Sequence, residues 1–312
     1  MATFNLEDYL SSRRAAVDRA LERYVPDQSS HSHTVWQAMR YGLFPGGKRI
    51  RPILTLAAGE LFGGSHKLLL PFACAIEMIH AYSLVHDDLP ALDNDDLRRG
   101  APTAHRVFGE GLAVLAGDGL LTEAFCLMTS AQVARIVSPK LLVELIHEVA
   151  YSAGARGLVA GQALDLQADE DDADLAKVEY IHVRKTGRLI LASVRIGARL
   201  AGAKPADLRR ITRYGEFLGL AFQVGDDILD AEPDAVSRQG GESGGRERRK
   251  ATYPSVIGLA QAKERLKELL QQAVKQLEPF GARAKVLNGL ATYIGTRPLQ
   301  VQATLTTEEM QH

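Results

Sequence analysis

Apolar positions recur at helical spacing from one end of the chain to the other, as in Leu6, Tyr9, Leu10, Val17, Leu21 and Tyr24, and no stretch alternates in the manner of a half-buried strand. This pattern predicts an all-α fold. Breaks at Pro26–Ser32, Pro45-Gly46-Gly47, Gly63-Gly64-Ser65, Pro102, Gly109–Gly111, Ser138-Pro139 and Lys204-Pro205 divide the chain into roughly ten or more runs of helical length. Those near 71–89, 113–130, 139–168 and 207–230 are apolar over more than one face, which suits the centre of a bundle.

The 37 basic and 38 acidic residues nearly cancel, so no global field favours nucleic acid or an anionic membrane, and recognition falls to local clusters. Cys74 and Cys126 lie in apolar stretches without metal-ligand spacing and read as buried free thiols. No leader-like start and no uncharged apolar run of about 18 residues is present, so the expectation is a soluble, cytoplasmic protein without a membrane span.

Two acidic blocks stand out against this background. Asp87-Asp88-Leu-Pro-Ala-Leu-Asp93 follows the apolar run Ile79–Val85, and Asp226-Asp227-Ile228-Leu229-Asp230 follows Phe217–Phe222. Carboxylates gathered at the end of a buried segment are costly unless cations neutralise them. Mg²⁺ is a natural neutraliser, because it binds through one or two carboxylates and completes its shell with phosphate oxygens. Two such blocks imply several metals holding a polyphosphate. Asp226 and Asp230 are four apart and share a helix face. Asp87 and Asp93 are six apart with Pro90 between them, so the helix should end near Leu89 and curl to bring Asp93 back toward Asp87. Asp95 and Asp96 read as capping or solvent-facing residues.

Cations gather around the first block. Gly46-Gly47-Lys48-Arg49-Ile50-Arg51-Pro52 puts Lys48 and Arg51 three apart, Arg98-Arg99 follow the acidic run, and His80 lies seven before Asp87 on the same helix face. Any one of these reads as a surface cation or a core-edge imidazole, but together they suit an anion, and arginine's planar fork fits phosphate oxygens. Gly161-Gln162-Ala-Leu-Asp165, Lys185-Thr186-Gly187 and Phe222-Gln223 set polar groups in apolar helices. These can be helix-to-helix hydrogen bonds, or Thr186 and Gln223 can turn dipoles toward a developing positive charge. Gly187 suggests a helix break that bares carbonyls. Residues 231–250, rich in Gly and charge, read as a mobile loop, either a solvated excursion or a lid over a phosphate site.

Taken together, the strings Ile79–Pro90 and Phe222–Asp230, with GGKRxRP, KTG and Lys250-Ala-Thr-Tyr-Pro254, resemble the trans-isoprenyl diphosphate synthases, most closely the bacterial farnesyl diphosphate synthases, or geranyltranstransferases. The likeness runs from about Trp36 to Ile294. It implies a single domain over 1–312 of isoprenoid synthase type, its helices surrounding a central cavity; the polar stretch 297–312 beyond the likeness reads as a disordered tail. By this resemblance Asp87, Asp88, Asp93, Asp226, Asp227 and Asp230 hold three Mg²⁺ on an allylic diphosphate, dimethylallyl or geranyl. Arg98, Lys185 and Lys250 bind its phosphates, while Gly47, Lys48, Arg51, His80 and Arg99 hold isopentenyl diphosphate. Ionisation leaves an allylic cation that Thr186, Gln223 and the Lys185 carbonyl can stabilise, the isopentenyl double bond attacks, and a proton is lost to pyrophosphate.

Tyr82, about 7.5 Å down the helix from Asp87 at 1.5 Å per residue, is either a core aromatic or the floor that limits chain growth, with Ser83 the neighbouring candidate. The family pattern favours a C15 product and a homodimer. After the second block Pro233 stands where the family has glycine, and Arg238 and Glu242 only approximate its later residues, so loop closure is the weakest carry-over. The competing readings are a geranylgeranyl or geranyl diphosphate synthase, a terpene cyclase, and a non-catalytic partner subunit.

Overall fold

A computed structural model of the chain describes residues 4–27, 33–168, 174–231 and 251–309. The loop expected over 231–250 therefore lies outside the described residues except at Ala231, and Lys250 lies outside them as well. The fold is all-α, as the periodicity predicts. It sorts into two compact units, one of residues up to Ala150 with Ile196–Ala203, the other of Tyr151–Arg195 with the described residues from Lys204 onward.

The first unit contains α1 (Leu6–Tyr24), α2 (His33–Leu43), α3 (Ile50–Leu61), α4 (His66–Asp87), α5 (Ala104–Phe108), α6 (Glu110–Met128), α7 (Ala131–Ala134) and most of α8 (Pro139–Ala153). α4 is its axis, packed against α3 and α6, with Phe72, Ile76 and Ile79 wholly buried. Two stretches, His66–Asp87 and Glu110–Ala134, have the length and overall apolarity of a membrane span, although neither is an uncharged run. Scattered charges such as Glu77 and Asp118 interrupt both runs without making either helix polar. In α4 78% of the most apolar 18-residue window is buried inside the protein, whereas in the stretch from Glu110 the share is only 39%. That second stretch shows Val114 and Leu115 to the outside. Cys126 is exposed on α6 too, a correction to its reading as buried, while Cys74 is enclosed and burial pushes its thiol pKa up.

Between α4 and α5 lies a two-residue hairpin, β1 (Leu97–Arg98) against β2 (Ala101–Pro102). It is too short to leave an alternating pattern. Arg99 (φ 56°) and Gly100 (φ 80°) both take the left-handed conformation that a tight two-residue hairpin turn demands.

The second unit contains α9 (Leu158–Gln167), α10 (Leu175–His182), a π turn (Val183–Gly187), the start of α11 (Arg188–Leu200), α12 (Pro205–Asp230), α13 (Tyr253–Ile257), α14 (Leu259–Leu277), a 3₁₀ segment (Glu278–Ala284) and α15 (Lys285–Glu309). The helix expected over 139–168 is two, α8 and α9, because a turn closed by Gly157 N–H on the Gly154 carbonyl (2.9 Å) breaks it. Val178, Leu220, Val224, Ile228, Tyr253 and Leu266 form a core shared by α10, α12, α13 and α14. Pro205 opens α12 at a first-turn position, where its missing N–H costs nothing. α15 stays helical to Glu309, where a disordered tail is expected from residue 297; Pro298 is buried and Leu299 packs on that core. Residues 310–312 lie outside the described part.

Candidate active site

α4 ends as its sequence predicts. The Asp88 N–H still reaches the Leu84 carbonyl (3.1 Å), after which Pro90 cannot continue the ladder and the chain turns back. Asp93 N–H donates to the Asp87 carbonyl (2.9 Å) and Asn94 N–H to Leu89 (3.1 Å), so the last carboxylate of the block returns beside the first. Asp87 and Asp93 are half-buried, but Asp88 is only 3% exposed. Its carboxylate is gripped by Arg98, with Nε at 2.7 and 2.9 Å from its two oxygens and Nη2 bonded as well. Burial raises the Asp88 pKa and the Arg98 guanidinium opposes that rise. Asp95 and Asp96 keep to structural work, their carbonyls accepting from the Thr103 hydroxyl (2.8 Å) and N–H (2.9 Å).

Arg98 and Arg99 diverge at the hairpin. Arg99 donates to the Gly46 carbonyl, and its guanidinium lies so close to Gly47 that a Cβ there would sit 2.9 Å from Nη1. A side chain there would have to push the Arg99 guanidinium aside. His80 is half-buried, and its pKa is held well below the usual imidazole range by burial and by the charges of Arg51, Arg99 and Arg98. A neutral imidazole beside three guanidiniums marks a region where positive charge is concentrated and an anion is favoured. Lys48 is exposed at its edge. Arg49, to which the sequence reading assigns no role, is 5% exposed and bonded to Asp18 (2.9 Å), Glu77 (2.8 Å) and the Leu43 carbonyl (2.9 Å). It anchors the segment from which Lys48 and Arg51 project.

The second block repeats the division seen in the first. Asp226 is half-buried and Asp230, the last residue of α12, is exposed, whereas Asp227 is 5% exposed. Its Oδ2 accepts from His182 Nε2 (2.7 Å) and from the Tyr253 N–H (2.9 Å), and its Oδ1 from Gln223 Nε2 (3.2 Å). Thr186 and Gln223 meet each other, hydroxyl to amide oxygen, at 2.8 Å. The break expected at Gly187 is the π turn itself, which rearranges the carbonyls around Lys185 without ending the helix. Lys185 Nζ donates to Asp165 (2.7 Å), and α9 comes so near that a Cβ on Gly161 would lie 2.2 Å from the Lys185 nitrogen. Gln162 beside it is 8% exposed, and neither its amide nitrogen nor its oxygen has a hydrogen-bond partner among the described residues.

Tyr82 is 6% exposed and sits edge-on to His86 at 5.7 Å; burial and the Asp87 charge push its hydroxyl up to about 12. At about 100° per residue it is about 140° round α4 from Asp87, while Ser83 is about 40° away. The Ser83 hydroxyl donates back to the His80 carbonyl (2.9 Å).

The donor set fits Mg²⁺ in a particular way. Among the described residues no three Asp, Glu, His or Cys side chains form a cage that could hold an ion unaided. Hard carboxylate oxygens at a helix end, as in each block taken by itself, suit an ion that arrives with phosphate oxygens and takes only one or two protein ligands. Within each block the middle carboxylate is the buried one and is held by protein donors, while the first and last are less buried. Arg49, Asp165 and His182 take part in these arrangements without being singled out as site residues by the sequence.

Residues 32–286 match the Polyprenyl synthetase family. The chain is similar to a farnesyl diphosphate synthase of Geobacillus stearothermophilus, 46% identical over 89% of this chain and 93% of the relative. It is similar also to a geranylgeranyl diphosphate synthase of Cyanophora paradoxa, 43% identical over 94% and 97%. The solved structure of a geranyltransferase from Legionella pneumophila superposes with a TM-score of 0.83 at 31% identity, covering 94% of this chain and 97% of that one.

Proposed function

The chain belongs to the polyprenyl synthetase family and is a trans-prenyltransferase that joins isopentenyl diphosphate to an allylic diphosphate, and from that premise we propose that its product is the C15 farnesyl diphosphate. The observation that carries this reading is Tyr82, an aromatic enclosed in α4 about 7.5 Å along the helix axis from Asp87. A farnesyl diphosphate synthase stands among the relatives in support, and so does a geranylgeranyl diphosphate synthase for the longer product.

Asp87 and Asp93, with Asp226 and Asp230, are the carboxylates offered to Mg²⁺. When bound with the allylic diphosphate, Mg²⁺ neutralises the charge that builds on the departing pyrophosphate. Arg98 directs Nε and one Nη2 hydrogen to Asp88, so its other N–H groups are its donors to the allylic phosphates, joined by Lys185 and Lys250. Lys48, Arg51 and Arg99 hold isopentenyl diphosphate against the Gly46-Gly47 turn, and neutral His80 can donate there without adding charge. The bond from C1 to oxygen breaks with its electron pair going to pyrophosphate. The Thr186 hydroxyl oxygen, the Gln223 amide oxygen and the Lys185 carbonyl meet the allylic cation with the negative ends of their dipoles. The isopentenyl double bond then attacks C1, leaving the cation on the isopentenyl unit, and the proton lost from C2 of that unit goes to pyrophosphate, so no protein base is needed.

A second copy of the chain covers the exposed apolar face of α6 in this reading, because an apolar helix left mostly open is a liability for a lone subunit. Chromatography of the products from geranyl and isopentenyl diphosphates with Mg²⁺ tests the proposal. A C15 product supports it, and a C20 or longer product moves the chain to the geranylgeranyl class.

A further inference from the structure

The hydrogen bonds of Asp227 give it a task other than metal binding. An ionised carboxylate can only accept, and this one accepts three hydrogen bonds, from His182 Nε2 and the Tyr253 N–H on Oδ2 and from Gln223 Nε2 on Oδ1. The last of these decides the orientation of an amide. Gln223 has one donating and one accepting end, and only the NH₂ can face an ionised carboxylate, so Oε1 must point the other way. There it accepts the Thr186 hydroxyl at 2.8 Å. With its proton committed to Gln223, Thr186 Oγ1 can offer only lone pairs to anything else.

The carboxylate itself is held from two sides. His182 stacks on Tyr253 with ring centroids 5.7 Å apart and planes 16° from parallel, and the Tyr253 hydroxyl donates to Glu179 at 2.5 Å. Tyr253 belongs to the core of α12 and α14. Such support leaves the carboxylate little freedom, as a preorganised dipole array requires.

We propose that Asp227 is a positioning residue: held by His182 and Tyr253, it fixes the Gln223 amide so that the oxygens of Gln223 and Thr186 meet the developing allylic cation. This rests on the ionisation reading above and adds to it the group that sets the direction of its dipoles. It also removes Asp227 from the metal ligands, leaving that role in its block to Asp226 and Asp230.

The test compares wild type, Asp227→Asn, Gln223→Leu and the double variant for kcat, for both KM values and for the Mg²⁺ concentration giving half-maximal rate. Asparagine keeps the shape but offers Gln223 a donor as well as an acceptor, so the amide loses its single favoured direction. The expected result is a kcat about 10²-fold lower, the lower end of what losing one preorganised electrostatic group costs. The Mg²⁺ requirement should not move, and Asp227→Asn should cost nothing further in the Gln223→Leu background. If Asp227→Asn does not fold, His182→Phe replaces it with the same expectations, since it keeps a ring on Tyr253 and removes one donor to the carboxylate. A raised Mg²⁺ requirement with activity restored at high Mg²⁺ would make Asp227 a metal ligand and overturn the proposal. Additive losses with Gln223→Leu would overturn it too. Prenyl product from the wild-type enzyme is the control, and its absence would sink the reaction reading instead.

Discussion

Tyr82→Ala separates product length from chemistry. Tyr82 is 6% exposed, and its ring lies edge-on to His86 at 5.7 Å. Truncating a buried aromatic to alanine costs about 3 to 5 kcal/mol, most of it from the cavity left behind. On the C15 proposal, the same cavity, about 7.5 Å along the helix axis from Asp87, would be the room for a longer prenyl chain. The Mg²⁺ carboxylates and the cations around His80 are untouched, so the condensation rate should be largely preserved while products shift from C15 toward C20 or longer. Product chromatography alongside thermal melting reads both effects, and Tyr82→Phe, which keeps the ring, should still stop at C15. A folded Tyr82→Ala enzyme that also stops at C15 would refute the reasoning. It would direct attention to Ser83, which lies nearer the Asp87 face of α4.

Arg51→Ala should raise the KM for isopentenyl diphosphate far more than that for geranyl diphosphate, because Arg51 acts at the cation cluster around His80; steady-state kinetics with each substrate varied checks the split. Gln162→Leu should leave the melting temperature unchanged or raise it, since it replaces a buried amide lacking any partner among the described residues with an apolar group of similar size; a fall of several degrees would show that the amide is satisfied in solution. Leu115→Asp, at a site 53% exposed on α6, should leave the monomer fold intact by circular dichroism but dissociate the proposed dimer in sedimentation, and a wild-type chain that sediments as a monomer would contradict that assembly.

Much of the first acidic end was legible from local rules. A six-residue spacing interrupted by Pro90 does not keep Asp87 and Asp93 on one helix face, so the curl that joins them through the Asp93 N–H could be foreseen. The π turn was half legible, since Gly187 signalled a disturbance without its type. Pairings across the fold were not legible. Nothing in a run of Lys48-Arg49-Ile50-Arg51 says that Arg49 is the cation turned inward to Glu77, because sequence gives the kind of charge and only packing gives its partner. For the same reason Asp88 and Asp227 looked equivalent to their neighbours, and only burial with Arg98 and His182 distinguishes them. The break between α8 and α9, the exposure of Cys126 and the helical course of α15 past Pro298 likewise depend on tertiary contacts that composition does not report.

The central claim is that both acidic ends act through Mg²⁺ in one reaction, and its most direct test is pyrophosphate release by Asp87→Ala and Asp226→Ala at saturating geranyl and isopentenyl diphosphates across a Mg²⁺ titration. Each variant should lose at least about 10² to 10³ in turnover, the cost of removing one preorganised electrostatic group, while the KM for isopentenyl diphosphate changes little. Near-normal turnover in either variant at saturating Mg²⁺ would contradict the account.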